Sequence, residues 1–122
     1  ISQLSLGQQQ SVLLGILLSS NSNKPLLIDQ PEDNLDSEFI FKSIVSNLRK
    51  IKEYRQVIIV THNPNIAVLG DAELVIPLKS TSTHSQIICE GSIDNESTVD
   101  MCCQILEGGN AAFKQRKTIY GF

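Results

Sequence analysis

Leu26-Leu27-Ile28-Asp29-Gln30-Pro31-Glu32-Asp33-Asn34-Leu35-Asp36 is the stretch on which the reading of this chain turns. Leu26 to Ile28 is too short and too continuously apolar to be a helix face, so it reads as a buried strand of the parallel kind, entered from Pro25. Asp29 then falls at the strand's C-terminal edge, the edge at which open α/β sheets bind ligands. Asp36 and Glu38 put negative charge at the start of the next helix, where the macrodipole favours it. Ile40, Phe41, Ile44, Val45, Leu48 and Ile51 follow at helical spacing as far as the basic exit at residues 49–52.

Outward from that stretch the pattern repeats. Val57-Ile58-Ile59-Val60-Thr61-His62 is a second apolar strand, rich in β-branched residues and ending in histidine. Asn63-Pro64 reads as an N-cap followed by proline at the first helical position, so a short helix is expected over 65–69, stopping at Gly70. Upstream, Leu4-Ser5-Leu6-Gly7-Gln8 opens a helix from Gly7 to about Ser19. Its apolar positions Val12, Leu13, Leu14, Ile16, Leu17 and Leu18 predict burial around most of its circumference. A third strand is predicted over 73–78, a polar turn over 79–85 and a fourth strand over 86–89, the two strands forming a hairpin. A helix over 98–106 is broken by Gly108-Gly109, and a basic helix follows over 111–117. Strands alternating with helices imply one mixed α/β sheet with helical cover. Strands 26–29 and 57–61 should lie adjacent and parallel, joined by a helical crossover over 36–51, so that Asp29 and His62 converge.

Composition narrows the classes. At 122 residues and 41% hydrophobic content the chain is domain-sized and able to bury one core. A formal charge of −3 with scattered basic residues leaves no nucleic-acid footprint, and Lys114, Arg116 and Lys117 read as a solvated helix face. Cys89, Cys102 and Cys103 have no metal-ligand spacing and leave an odd thiol, which suits a reducing compartment. The apolar run from Val12 to Leu18 is far shorter than the ~20 residues of a bilayer span, so no membrane association and a cytoplasmic location are expected.

In their order, Leu4-Ser5-Leu6-Gly7-Gln8, the Asp29 strand with Asn34-Leu35-Asp36, and the His62 strand resemble the signature motif, the Walker B strand with D-loop and the switch-histidine strand of ABC-type ATPases. The similarity is greatest to SMC/RecF-like heads of repair and defence proteins. Asp-Gln-Pro-Glu-Asp-x-Leu-Asp looks like the variant carried by some SMC-like and PHP-linked ATPases. The chain contains no G-x-x-x-x-G-K-[ST] phosphate loop and starts at Ile1 without Met. The resemblance therefore implies an α/β fold that is the C-terminal half of a P-loop NTPase head: parallel core strands, helices and a terminal hairpin. Residues 1–122 would form that lobe, with the Walker A lobe absent. It further implies ATP and Mg²⁺ as cofactors, and as partners the Walker A lobe, a second head in a homodimer, and nucleic acid contacted through other domains.

The same resemblance assigns roles. Ser5, Gly7 and Gln8 would present a hydroxyl, a backbone N–H and a helix N-terminus to the γ-phosphate bound by a partner head; taken alone, the same residues are a serine-capped helix. Asp29 suits Mg²⁺, which keeps most of its waters and needs one or two carboxylates. Asp36 would couple two composite sites across a dimer while also capping its own helix. Gln30 stands where the family usually has a glutamate; an amide orients water but cannot take its proton. Glu32 lies two residues on, ~6.6 Å away in an extended segment, and reaches the same place only if the turn after Pro31 bends inward. Three readings stay open: Glu32 as base, Gln30 positioning water in a slow ATPase, or an ATP-bound clamp that scarcely hydrolyses. His62 would contact the γ-phosphate and the attacking water, whereas His84, in a polar loop, has no role. From other classes, the chain could be a non-hydrolytic interaction module or an unrelated Rossmann-like binding domain.

Overall fold

A computed structural model describes residues 4–122, which form two compact units, the first ending at Gly70 and the second spanning Asp71–Phe122. In the first, α1 (Leu6–Leu18) is followed by β1 (Leu26–Asp29). A nearly continuous helix comes next, made of α2 (Ser37–Phe39), a π-helical segment (Ile40–Val45) and α3 (Ser46–Ile51). Then come β2 (Val57–Val60) and α4 (Pro64–Ala67). β1 and β2 pair in parallel, Leu26 with Val57 through Asp29 with Val60. This is the adjacency expected of the two apolar runs.

The core shows why these segments cohere. Leu26 and Ile28 point inward from β1 onto Ile40, Ile44, Leu48 and Ile51, with Leu18 and Ile66 closing the ends. The π segment has a visible packing consequence: an i→i+5 turn brings Ile40 and Val45 round to one side, and Ile40, Ile44 and Val45 are all buried. Phe41, which the spacing had placed in the stripe, is turned outward and is 53% exposed.

The amphipathic reading of α1 also needs correction. Of its apolar residues only Leu18 is buried, with Leu14 packed partly on the core, whereas Leu6, Val12, Leu13, Ile16 and Leu17 are exposed. The helix contacts α3, and among the described residues its remaining apolar side chains stay largely uncovered. The sheet is similarly one-sided, since Leu27, Ile58 and Val60 face away from the core and are exposed. A parallel sheet ordinarily has both faces covered.

In the second unit β3 (Leu78–Ser80) and β4 (Ser85–Ile87) form the antiparallel hairpin expected of the third and fourth strands, shifted in register from their predicted bounds. Pro77 has no N–H to donate, so regular pairing lapses there and resumes as a single bridge between Val75 and Gly91. The turn tightens to residues 81–84, where the Thr81 N–H and hydroxyl both donate to the His84 carbonyl. In place of the predicted single mixed sheet, the described residues form two separate two-stranded sheets. Helix α5 (Glu96–Glu107) is capped by Asn95 and ends at Gly108 with φ 76°, and α6 (Asn110–Tyr120) packs on it. Arg116 of α6 pairs with Glu107 of α5. Thr98 and Cys102 are buried in this unit, and all three cysteines are free.

Candidate functional site

The parallel register decides where the chemistry gathers. Asp29 is opposite Val60, so the chain leaving β1 and the Thr61-His62 pair leaving β2 emerge at the same end of the sheet. The Gln30 N–H donates to the Val60 carbonyl at 2.8 Å, extending the ladder one residue beyond the strand. Gln30 itself has φ 45° and Asn34 φ 61°. Left-handed backbone of this kind is uncommon for side chains other than Gly, Asn and Asp, and concentrates at ligand sites and switches. These two residues fold 30–34 into successive turns closed by Asp33 N–H to Gln30 C=O and Leu35 N–H to Glu32 C=O.

The turn bends inward, and Glu32 becomes a buried residue at 6% exposure. Its Oε1 accepts from the Thr61 hydroxyl at 2.7 Å and from the His62 backbone N–H at 2.8 Å, and lies 3.1 Å from His62 Nδ1. Thr61 Oγ1 meanwhile accepts from the Asn63 N–H at 3.0 Å. Glu32 Oε2 is buried with no partner among the described residues. A buried acceptor left unsatisfied costs about 1–3 kcal/mol, which the two hydrogen bonds on the other oxygen help to offset in keeping this carboxyl inside. His62 has its ring open to solvent on the side away from Glu32, its side chain being 68% exposed.

The remaining site candidates lie around this knot. Asp29 is exposed, and its carboxylate makes no hydrogen bond or ion pair among the described residues. A solvent-facing hard oxygen ligand at a strand end fits Mg²⁺, which binds through few protein groups and keeps its waters. Among the described residues, no group of three or more His, Cys, Asp or Glu could hold a metal by itself. Asp36 caps α2 by accepting the Phe39 N–H at 2.8 Å. Ser5 and Gln8 form a reciprocal capping box at the start of α1, Ser5 N–H to Gln8 Oε1 at 2.9 Å and Gln8 N–H to Ser5 Oγ at 3.3 Å. Gly7 is held against the turn after β1, and a Cβ there would lie 2.3 Å from the Asn34 carbonyl oxygen. The helix entrance and the Asn34-Leu35-Asp36 segment are therefore adjacent.

The residue that motif reasoning passed over is Thr61, which relays the Asn63 N–H to Glu32. A Thr-His pair closing an apolar strand was its only mark in the sequence.

Residues 1–68 match a family described as "AAA domain, putative AbiEii toxin, Type IV TA system". The chain belongs to this AAA family. The matched stretch ends within the first unit and contains every site residue described above. Over 79 residues, 64% of this chain, the sequence is also 32% identical to the ABC multidrug transporter atrF of Aspergillus flavus. That alignment takes in 5% of the transporter, so the chain spans a small part of the curated relative it matches. Together the two similarities make the AAA unit an ABC/AAA-type ATPase region, a class that uses ATP and Mg²⁺. Among the described residues, no helix of the chain is long and apolar enough to cross a membrane.

Proposed function

We propose that the chain is the C-terminal lobe of an SMC/RecF-like ATPase head, supplying Walker B, D-loop and switch histidine to its own nucleotide site and a signature helix to that of a second head. The observation that carries this reading is the parallel register that seats Thr61 and His62 against Glu32 at the strand end where Asp29 stands. In this reading Asp29 holds Mg²⁺ through its waters, Gln30 and His62 face the attacking water, and Glu32 braces them from behind. Ser5, Gly7 and Gln8 present the N-terminus of α1 to the partner head's nucleotide, and Asp36 lies at the dimer seam. A Walker A lobe would cover the bare outer face at Leu27, Ile58 and Val60. The parent protein would act in the cytoplasm as an ATP-gated homodimer, reaching DNA or RNA through other domains.

The test is Mg²⁺-dependent phosphate release over many turnovers by the full-length protein. Asp29→Asn should abolish it, and release that survives this substitution would remove Asp29 from the metal site and the Walker B assignment with it. Gln30 favours a second reading, a clamp that binds ATP and dimerises without hydrolysis, since an amide accepts no proton. Nucleotide-dependent dimerisation with no phosphate release would select the clamp.

A further inference from the structure

We infer that a hollow along α6 is a docking site for another protein, taking a peptide segment in which a large apolar side chain is flanked by a carboxylate. The inference stands apart from the ATPase reading, because the hollow lies in the second unit, outside residues 1–68. Its volume is about 370 Å³, and it is lined by Glu107, Phe113, Arg116, Lys117, Tyr120 and Phe122. Phe113, Lys117 and Tyr120 stand at i, i+4 and i+7 of α6 and so share one face of the helix. Gly121, with φ 85°, reverses the chain there. The Phe122 N–H then donates to the Lys117 carbonyl at 3.1 Å, which carries Phe122 back to the same hollow. Of the chain's four phenylalanines and two tyrosines, three gather here.

The charges indicate what complements these rings. Arg116 is already paired with Glu107, whereas the Lys117 ammonium has no ion pair among the described residues. The hollow therefore offers one open cation beside apolar walls, which matches one carboxylate beside one apolar side chain. A nucleic-acid strand would need a run of cations to meet its phosphates. The second unit instead holds four basic residues against seven acidic ones, and Glu107 puts a carboxylate in the hollow itself. A membrane surface would need one continuous apolar face, but Ile119 lies about 120° around α6 from Phe113. Phe113, Tyr120 and Phe122 are 45%, 71% and 86% exposed, too open to enclose a small molecule by themselves. Aromatic side chains with an arginine are the composition of an interface core, for which the docked protein supplies the cover.

Saturation-transfer NMR of the 122-residue chain with acetyl-Asp-Leu-Phe-Asp-amide tests this, acetyl-Lys-Leu-Phe-Lys-amide serving as the peptide of opposite charge. The acidic peptide should bind saturably, and the basic one at least about tenfold more weakly. Lys117→Glu should reverse that order. Lys114→Glu, the same change of charge outside the hollow, should leave the acidic peptide within about twofold of its affinity for the unmodified chain. Tyr120→Ala should weaken the acidic peptide by about fivefold or more, and Tyr120→Phe, which keeps the ring, should bind it as the unmodified chain does. Lys114, Lys117 and Tyr120 are all exposed, so these substitutions leave the core intact. Absence of saturable binding by the acidic peptide would overturn the inference, and so would an order of the two peptides that Lys117→Glu leaves unchanged. Oligothymidylate or phosphatidylserine vesicles that bind more tightly than the acidic peptide, and lose that binding in Lys117→Glu, would overturn it too by making the face a nucleic-acid or membrane surface.

Discussion

Gly7 shows how one residue can serve two readings. Its value at a helix entrance was read as room for a phosphate, and the structure adds a neighbour inside the same unit, the Asn34 carbonyl, which a Cβ would meet at 2.3 Å. Because that neighbour is backbone and cannot rotate aside, Gly7→Ala should destabilise by about 1–3 kcal/mol, the usual cost of overpacking. Thermal unfolding of the two proteins measures this, and an unchanged midpoint would place Asn34 elsewhere. At the same scale, Cys102 has its thiol pushed above the ordinary range by burial, with Cys89 and Cys103 adding to the effect. The thiolate is the nucleophile, so iodoacetamide should label Cys89 and Cys103 first at neutral pH, and Cys102 only as the pH rises well into the alkaline range. The sign for stability is the same. A thiol held protonated in the fold adds no penalty below its unfolded pKa, and stability falls as pH rises through and above that value. Cys102→Ala should flatten that alkaline decline in a series of unfolding curves.

Among the elements, the helix after β1 depends on its cap. Asp36 accepts the Phe39 N–H and stands at the positive end of the helix, so Asp36→Ala should cost about 1 kcal/mol of stability. Asp36→Asn should cost no more than a few tenths, since asparagine caps equally well. Asparagine nevertheless lacks the charge a dimer seam would use. A full-length Asp36→Asn protein that is stable but loses ATP-dependent dimerisation would separate the two roles, and one that behaves as wild type in both would leave only the cap. The π segment and the reversal of α1 from buried to exposed belong to this scale as well. Helical spacing identified both helices, but a stripe of apolar residues indicates only that a face wants cover, not that a neighbour is present to provide it.

For the molecule as a whole, the bare apolar surfaces are the main consequence. Leu27, Ile58 and Val60 on the sheet and Leu13, Ile16 and Leu17 on α1 are exposed, and apolar surface left open seeks a partner. The 122-residue chain is expected to self-associate, and Leu27→Lys with Ile58→Lys should shift it toward monomer in light scattering. A wild-type chain that stays monomeric at high concentration would show that these faces need no cover. The same chain should bind Mg-ATP too weakly for calorimetry, because a helix N-terminus in water offers few donors against the entropy of association. Micromolar binding would mean that the chain completes a nucleotide site unaided.

By itself the sequence determined the apolar runs 26–28 and 57–60, their parallel pairing, and the caps at Ser5, Asp36 and Asn63. These are local or periodic properties, written in residue type and spacing. Only the tertiary structure decided that pairing lapses at Pro77 between β3 and the Val75–Gly91 bridge, that a π turn sends Phe41 outward, and that Gln30 and Asn34 adopt left-handed backbone. Those conformations swing Glu32 under Thr61 and His62. A side chain's partners depend on where distant backbone lies, and 29 residues separate Glu32 from Thr61. No spacing rule reports which carboxyl is exposed and which is enclosed; that difference leaves Asp29 open to a cation and turns Glu32 toward a histidine.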